Sequence, residues 1–391
     1  QGLLSKYENE IKNSSQQDCS TKNNANFELL THQKIVRDYI NIFTPYRGLL
    51  LFHGLGSGKT CSSIAIAEAI KENKQIVIML PASLETNYRE ELKKCGDLLY
   101  KKNQYWEFVS TKDYPQLENP ISEILNIPIE IIRKNKPPGA WFVDVRKESN
   151  YQSLSDIEKS SLDRQLDLMI NSKYSFIRYN GYNLRHWAKD SENGRINPFD
   201  NKVVIIDEAH NLISRIVNKL NSKKENMPIK FFNALISAEN CRIIMLTGTP
   251  IINYPNEIGL MMSILRGYIK TWTFNIESSK GLTINQSSLN KILNENSVSN
   301  HILDYIQIKI SERENTLKVT RNPFGFWSNK DGETYKGVNL DSQGNLNDTE
   351  FLSLIEKVLN DNNIEIKGKV NIENNTALPI KEDNFNAWFV E

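Results

Sequence analysis

The strongest constraint on this chain is an apolar run that breaks into glycine. Residues 49–52 lead into His53-Gly54-Leu55-Gly56-Ser57-Gly58-Lys59-Thr60, and a helical pattern follows over 62–70. Strand, small-residue loop and helix, in that order, let backbone N–H groups and a helix N-terminus cradle phosphates. About 150 residues on, a second apolar run over 203–206 ends in Asp207-Glu208-Ala209-His210. Paired carboxylates at a strand end can hold Mg²⁺ and an attacking water. The two motifs together predict a site that hydrolyses a nucleoside triphosphate.

Around these motifs, apolar runs at 48–52, 75–80, 174–179, 202–206 and 242–246 alternate with helical stretches. That alternation is the pattern of βαβ units. It predicts an α/β fold with a central, mostly parallel sheet over 27–266. An insertion over 110–171 interrupts the rhythm, carrying Pro-Pro-Gly at 137–139 and a strand-like 140–145. Residues 1–26 are polar and rich in Asn, Ser, Gln and Lys, and are expected to form a flexible arm. After Gly267 come alternating segments at 306–310 and 316–320, a turn at Asn322-Pro323-Phe324-Gly325, and a helix pattern over 348–359. Residues 267–391 therefore read as a smaller α+β accessory region without phosphate-binding signals.

Composition narrows the function classes. A chain of 391 residues can hold two to three domains. No run of about 18 apolar residues exists, so no membrane span is expected. The start, Gln1-Gly2-Leu3-Leu4, lacks Met and a basic-then-apolar signal, and reads as trimmed or processed rather than secretory. With 48 basic and 47 acidic residues the net charge is +1, so any nucleic-acid surface must be local. Cys19, Cys61, Cys95 and Cys241 form no C-x-x-C pair. They are expected to be reduced thiols of an intracellular protein, with Cys61 a small buried residue.

Each motif assigns roles. Gly54, Gly56, Ser57 and Gly58 let the backbone fold around β- and γ-phosphates, Lys59 supplies positive charge, and the Thr60 hydroxyl ligates Mg²⁺. The strict G-x-x-x-x-G-K-[ST] pattern is not met, because His53 stands at its first position. Asp207 is the second Mg²⁺ partner and Glu208 the general base or water-orienting group. His210 either couples the nucleotide site to the neighbouring strand or caps its helix. Thr247 and Thr249, in Leu246-Thr247-Gly248-Thr249-Pro250, follow another apolar strand, where hydroxyls can bond the adjacent carboxylates and report nucleotide state.

Together these residues resemble motifs I, II and III of superfamily 2 helicases and translocases. Residues 247–253 with Glu257 are similar to chromatin remodellers of the Swi/Snf kind. Leu30-Thr31-His32-Gln33 is similar to the element in which a glutamine reads the adenine edge. Leu80-Pro81-Ala82-Ser83-Leu84 with Asn87 and Glu91 resembles motif Ia, which touches the nucleic-acid backbone; Ser83 is also a natural N-cap. Ile177-Arg178-Tyr179-Asn180 lies where motif Ib would be, so Arg178, Tyr179 and nearby Arg185 either face a strand or form a Tyr-rich core edge. Leu51-Phe52-His53-Gly54 and Val319-Thr320-Arg321-Asn322-Pro323-Phe324-Gly325-Phe326, with 377–379 and Phe385, resemble the helicase-like ATPases of large DNA viruses. That family includes the small subunit of the poxvirus early transcription factor and nucleoside triphosphate phosphohydrolase I.

The resemblance implies a RecA-like P-loop domain that uses ATP and Mg²⁺ and acts on DNA, with RNA as a further substrate class. It implies a viral, intracellular protein of virion or host cytoplasm, working in transcription or genome handling beside RNA polymerase or other transcription subunits. Such motors place ATP between two RecA-like lobes, the second carrying arginines in a Q-x-x-G-R-x-x-R pattern. No such string occurs, so the second lobe is expected to be absent from these residues. An arginine finger supplies roughly 10³–10⁵ in rate, so slow hydrolysis by this chain alone is expected. The other reading is an ATP-binding scaffold subunit of a transcription complex, with little turnover of its own.

Overall fold

Strands that are apolar along their whole length must be covered on both faces, and that requirement organises the first half of this protein. The computed structural model describes residues 2–14, 29–52, 54, 58–222, 224, 226–279, 284–296, 298–311, 315–331 and 334–390. It divides into two units, one of residues 1–41 and 47–261, the other of residues 42–46 and 262–391.

The first unit begins with α1 (Gly2–Ser14), which packs on α2 (Thr31–Tyr39). β1 (Gly48–Phe52), α3 (Lys59–Ile70), β2 (Gln75–Leu80) and α4 (Glu85–Cys95) follow. The chain then makes an antiparallel pair, β3 (Trp106–Ser110) with β4 (Gly139–Val143), around α5 (Glu118–Leu125) and α6 (Ile129–Lys134). α7 (Asp156–Lys173), capped by Ser155 and Glu158, returns the chain to β5 (Tyr174–Arg178). After α8 (Leu184–Asp190) come β6 (Lys202–Ile206), α9 (Ala209–Val217), α10 (Met227–Ser237), β7 (Arg242–Thr247) and α11 (Asn256–Arg266).

The five core strands pair in the order β1-β7-β6-β2-β5, every pair parallel. Residues 203–206 and 243–246 are fully buried, as strands covered on both faces must be. The predicted parallel sheet is present, and its strands lie within one residue of the apolar runs read from the sequence. The insertion is tied back by ion pairs whose lysines are buried or nearly so and whose carboxylates are partly exposed. Lys93 of α4, 3 % exposed, meets Asp167 of α7 at 2.8 Å, and Lys102 meets Asp163 at 3.0 Å.

One expectation is corrected here. Residues 2–14 are helix rather than a loose arm. Tyr7 is buried, and its hydroxyl donates to Asp38 Oδ2 at 2.7 Å, alongside Lys6 at 2.5 Å. Residues 15–26 of the expected arm lie outside the described residues. The boundary between the compact units falls after 261, so α11 runs from the first unit into the second.

The second unit is antiparallel. It holds β8 (Ile269–Ser278), α12 (Gln286–Glu295), α13 (Val298–His301), β9 (Leu303–Ile310) and β10 (Asn315–Arg321). Next come β11 (Phe326–Asp331), β12 (Thr334–Leu340), α14 (Asp348–Asp361), β13 (Ile364–Ile366), β14 (Asn371–Asn375) and α15 (Glu382–Val390). The sheet order is β13-β8-β10-β9, with β14 also on β8, and β11 pairs β12 separately. Trp272 and Phe351, rings 4.6 Å apart, centre its core. Arg321 lies over both rings and donates to Asp348 Oδ1 at 2.7 Å. The 322–325 string is a turn closed by Phe326 N–H donating to the Pro323 carbonyl at 3.0 Å. Asn322, buried, donates to the His301 carbonyl and Ser328 Oγ, 2.8 Å each. This motif is thus structural, and the unit is not a second parallel lobe.

Candidate active site

Because the five core strands are parallel, their carboxyl ends share one edge, where ligands bind in open α/β sheets. In sheet order that edge carries the glycine loop, Thr247-Gly248-Thr249, Asp207-Glu208, the turn over 81–84, and Arg178-Tyr179. Segments up to about 200 residues apart in sequence become neighbours through pairing alone. His53, Leu55, Gly56 and Ser57 of the loop lie outside the described residues.

The loop is held at its end by α2. Gly58 precedes α3 with φ +75°, and a Cβ there would lie 2.7 Å from Gln33 Nε2. The left-handed backbone favours glycine here, and a side chain would also push Gln33 aside. The Gly58 carbonyl accepts from Gln33 Nε2 at 3.3 Å, from Ser62 N–H at 2.9 Å and from Ser62 Oγ at 3.1 Å. Gln33 is 2 % exposed, and its Oε1 also accepts from the Leu30 N–H at 3.0 Å. Lys59 Nζ donates to the Gly54 carbonyl at 3.2 Å, bridging the loop from end to start. Thr60 follows in a helix turn that contains no acidic residue, so the N-terminal N–H groups favour an anion.

The carboxylates sit on a strained turn. The Asp207 N–H donates to the Met79 carbonyl at 2.8 Å, extending the β6–β2 ladder by one residue. Glu208 is left-handed at φ +46°, ψ 51°, and its N–H donates to Asp207 Oδ1 at 3.0 Å. Burial pushes the Asp207 carboxyl up to about 6; the Glu208 N–H and Lys59 oppose the rise, and the Glu208 charge adds to it. A carboxylate so placed gains from an approaching cation.

His210 lies between the carboxylates and the threonines of this edge. Its Nδ1 lies 2.8 Å from Thr247 Oγ1, 3.3 Å from Glu208 Oε2 and 3.4 Å from Thr249 Oγ1. Thr247 is fully buried and also accepts from the Thr249 N–H at 3.0 Å. The expectation that the threonines bond the carboxylates is corrected: the imidazole stands between them. Glu257, fully buried, fastens the following loop by accepting from the Ile252 N–H at 2.6 Å and the Asn253 N–H at 3.3 Å.

The residues expected to touch nucleic acid separate. Ser83 and Asn87 are exposed, and Ser83 lies in a 3-10 turn without capping α4. Arg178 is exposed, yet its Nε donates to Glu85 Oε2 at 2.5 Å. Arg89 donates to the same carboxylate at 3.0 Å and stacks 4.0 Å from the Phe176 ring. Burial would raise Glu85, but the two guanidiniums hold its carboxyl below the usual range. Tyr179 is corrected as a surface contact: it is 3 % exposed, and its hydroxyl donates to the carbonyls of Asp207 and Glu208, 3.2 Å each. The core-edge alternative holds for it.

The expectation of reduced thiols is corrected for Cys61 and Cys95, while Cys19 lies outside the described residues. Cys61, next to Thr60, is disulfide-bonded to Cys95 at the end of α4, and Cys241 is free and buried. The pairing was missed because 34 residues separate the partners. Only the packing of α3 on α4 brings them together. Glu85 was missed as well. Its spacing four before Arg89 was a readable helix pair, but its bond to Arg178 was not.

A family model described as "Type III restriction enzyme, res subunit" matches residues 12–252. "Putative ATP-dependent RNA helicase R563" of Acanthamoeba polyphaga mimivirus is 29% identical over 243 residues, covering 61% of this chain and 33% of that protein. "Termination factor NPH-I homolog" of African swine fever virus (isolate Pig/Kenya/KEN-50/1950) is 25% identical over 226 residues, covering 57% of this chain and 23% of that one. The chain thus spans a third or less of these relatives. A solved structure, "Sulfolobus solfataricus SWI2/SNF2 ATPase core in complex with dsDNA", overlaps 56% of this chain and 31% of its own at 19% identity, with a TM-score of 0.28. An overlap at that score adds nothing to the topology described above.

Proposed function

The chain belongs to the type III restriction enzyme res subunit family, of helicase type, and on that premise we propose that it is a nucleic-acid-dependent ATPase acting on DNA in viral transcription or genome handling. The observation that carries this reading is the shared strand edge. It sets a lysine-bearing helix N-terminus and a half-buried carboxylate pair on one side, and the exposed side chains of Ser83, Asn87 and Arg178 on the other. ATP and Mg²⁺ fit the donor set: an anion-seeking first turn in α3, and an Asp207 carboxyl whose raised pKa marks a charge in want of a cation.

In this reading Lys59 and the N–H groups of the first turn hold phosphate oxygens, while Gln33 sits against the loop. Thr60 and Asp207 would hold the metal. A Mg²⁺ held there would supply positive charge against the phosphate charge that grows during transfer. Glu208 Oε orients a water and takes its proton. His210 carries the state of that carboxylate to Thr247 and Thr249. Ser83, Asn87 and Arg178 would meet the nucleic-acid backbone, fixing position rather than sequence.

Binding of a fluorescent ATP analogue in Mg²⁺ and in EDTA tests the nucleotide half. Removing one charged hydrogen-bond donor costs about 1.5–3 kcal/mol. Lys59→Ala should therefore weaken Mg²⁺-dependent binding by at least about tenfold. Equal affinity in variant and parent would contradict the reading.

A further inference from the structure

Tyr179 follows the last residue of β5. Its N–H donates to the Leu80 carbonyl at 3.3 Å, so the strand's pairing with β2 continues one residue further. Its hydroxyl reaches the end of β6, two strands away, and donates to the Asp207 and Glu208 carbonyls. These two peptide groups flank Glu208. Glu208 adopts a left-handed backbone that non-glycine residues keep only when surroundings impose it. Arg215 of α9 closes the link from the other side. Its Nη1 donates to the Tyr179 carbonyl at 3.2 Å and to Asn180 Oδ1 at 2.7 Å.

The neighbour of Tyr179 faces outward. Arg178 has 62% of its side chain exposed, and its guanidinium is held by Glu85, the first residue of α4. Exposed Ser83 and Asn87 flank Glu85 in sequence. A backbone phosphate arriving at this face competes with Glu85 for the Arg178 guanidinium. Arg178 and Tyr179 are consecutive, so any shift of the strand end on that exchange is delivered to the Tyr179 hydroxyl.

We infer that Tyr179 is a positioning residue: its hydroxyl fixes the Asp207–Glu208 turn and carries nucleic-acid occupancy at Arg178 to it. This inference rests on the ATPase reading above. It adds a named link between the two ends of the sheet edge.

Tyr179→Phe keeps the ring and removes the hydroxyl. Amide hydrogen exchange over 206–211 should accelerate about tenfold or more, while exchange over 243–246 stays unchanged. In turnover, kcat with duplex DNA present should fall about tenfold, with affinity for the ATP analogue within twofold of the parent. Unchanged exchange and unchanged kcat would overturn the inference. So would acceleration spread equally over β7 with kcat retained, which marks a merely structural hydroxyl. If the unsubstituted protein binds ATP but never turns it over, the ATPase reading fails, and the exchange measurement alone still decides the positioning role.

Discussion

Gly58 shows how closely the nucleotide loop is specified by single atoms. Alanine there would place a Cβ against Gln33 Nε2 and force a left-handed backbone on a residue that resists it. Backbone strain of this kind costs about 1–3 kcal/mol. Gly58→Ala is expected to lower the thermal midpoint of the first unit and to abolish the stabilisation conferred by an ATP analogue with Mg²⁺. Differential scanning fluorimetry with and without the analogue checks both; an undiminished nucleotide-induced shift would contradict the assigned role. Of the candidate site residues, Lys59, Asp207, Glu208 and His210 were readable from local order, because strand, loop and helix follow one another within ten residues. The partners that hold them were not. Gln33 to Gly58, His210 to Thr247 and Tyr179 to Asp207 are contacts across 25, 37 and 28 residues, the first created by the packing of α2 on α3 and the other two by sheet order.

At the level of elements, the strands were readable because a strand buried on both faces is an unbroken apolar run. α1 was not, because its surface is polar and it is anchored by Lys6 and Tyr7 to Asp38 of α2. That anchor gives a pH prediction. Burial would raise Asp38, but hydrogen bonds from Lys6, Tyr7 and Arg37 outweigh it and hold the carboxyl at about 2, below its ordinary 3.8. A depressed carboxyl stabilises the fold fully above its unfolded pKa and loses that contribution as pH falls through its folded one. The α1–α2 contact should therefore weaken between about pH 4 and pH 2. Amide exchange in residues 5–12, followed across that window, should accelerate ahead of exchange in β6. The disulfide supplies a second test at this scale. It closes a 34-residue separation between α3 and α4, and loops of that size are stabilised by about 2–4 kcal/mol. Cys95→Ser should cost the first unit that much in denaturant unfolding under non-reducing conditions. No change in the unfolding midpoint would remove the bridge from the account.

For the molecule as a whole, division of labour follows from topology. The parallel sheet gathers its strand ends on one edge, and the candidate chemistry sits there. The antiparallel second unit spends its signature string on a turn and on the Arg321 clamp over Trp272 and Phe351. A net charge of +1 leaves any nucleic-acid binding to local groups, Arg178 being the one proposed, rather than to a general field. The central claim is that one edge couples nucleic acid to ATP hydrolysis. Steady-state ATP hydrolysis with and without duplex DNA, compared among the parent protein, Lys59→Ala and Glu208→Gln, tests it most directly. The account predicts turnover that rises with DNA and is lost in both variants, with Glu208→Gln still binding the nucleotide. Turnover indifferent to DNA, or surviving either substitution, would contradict it.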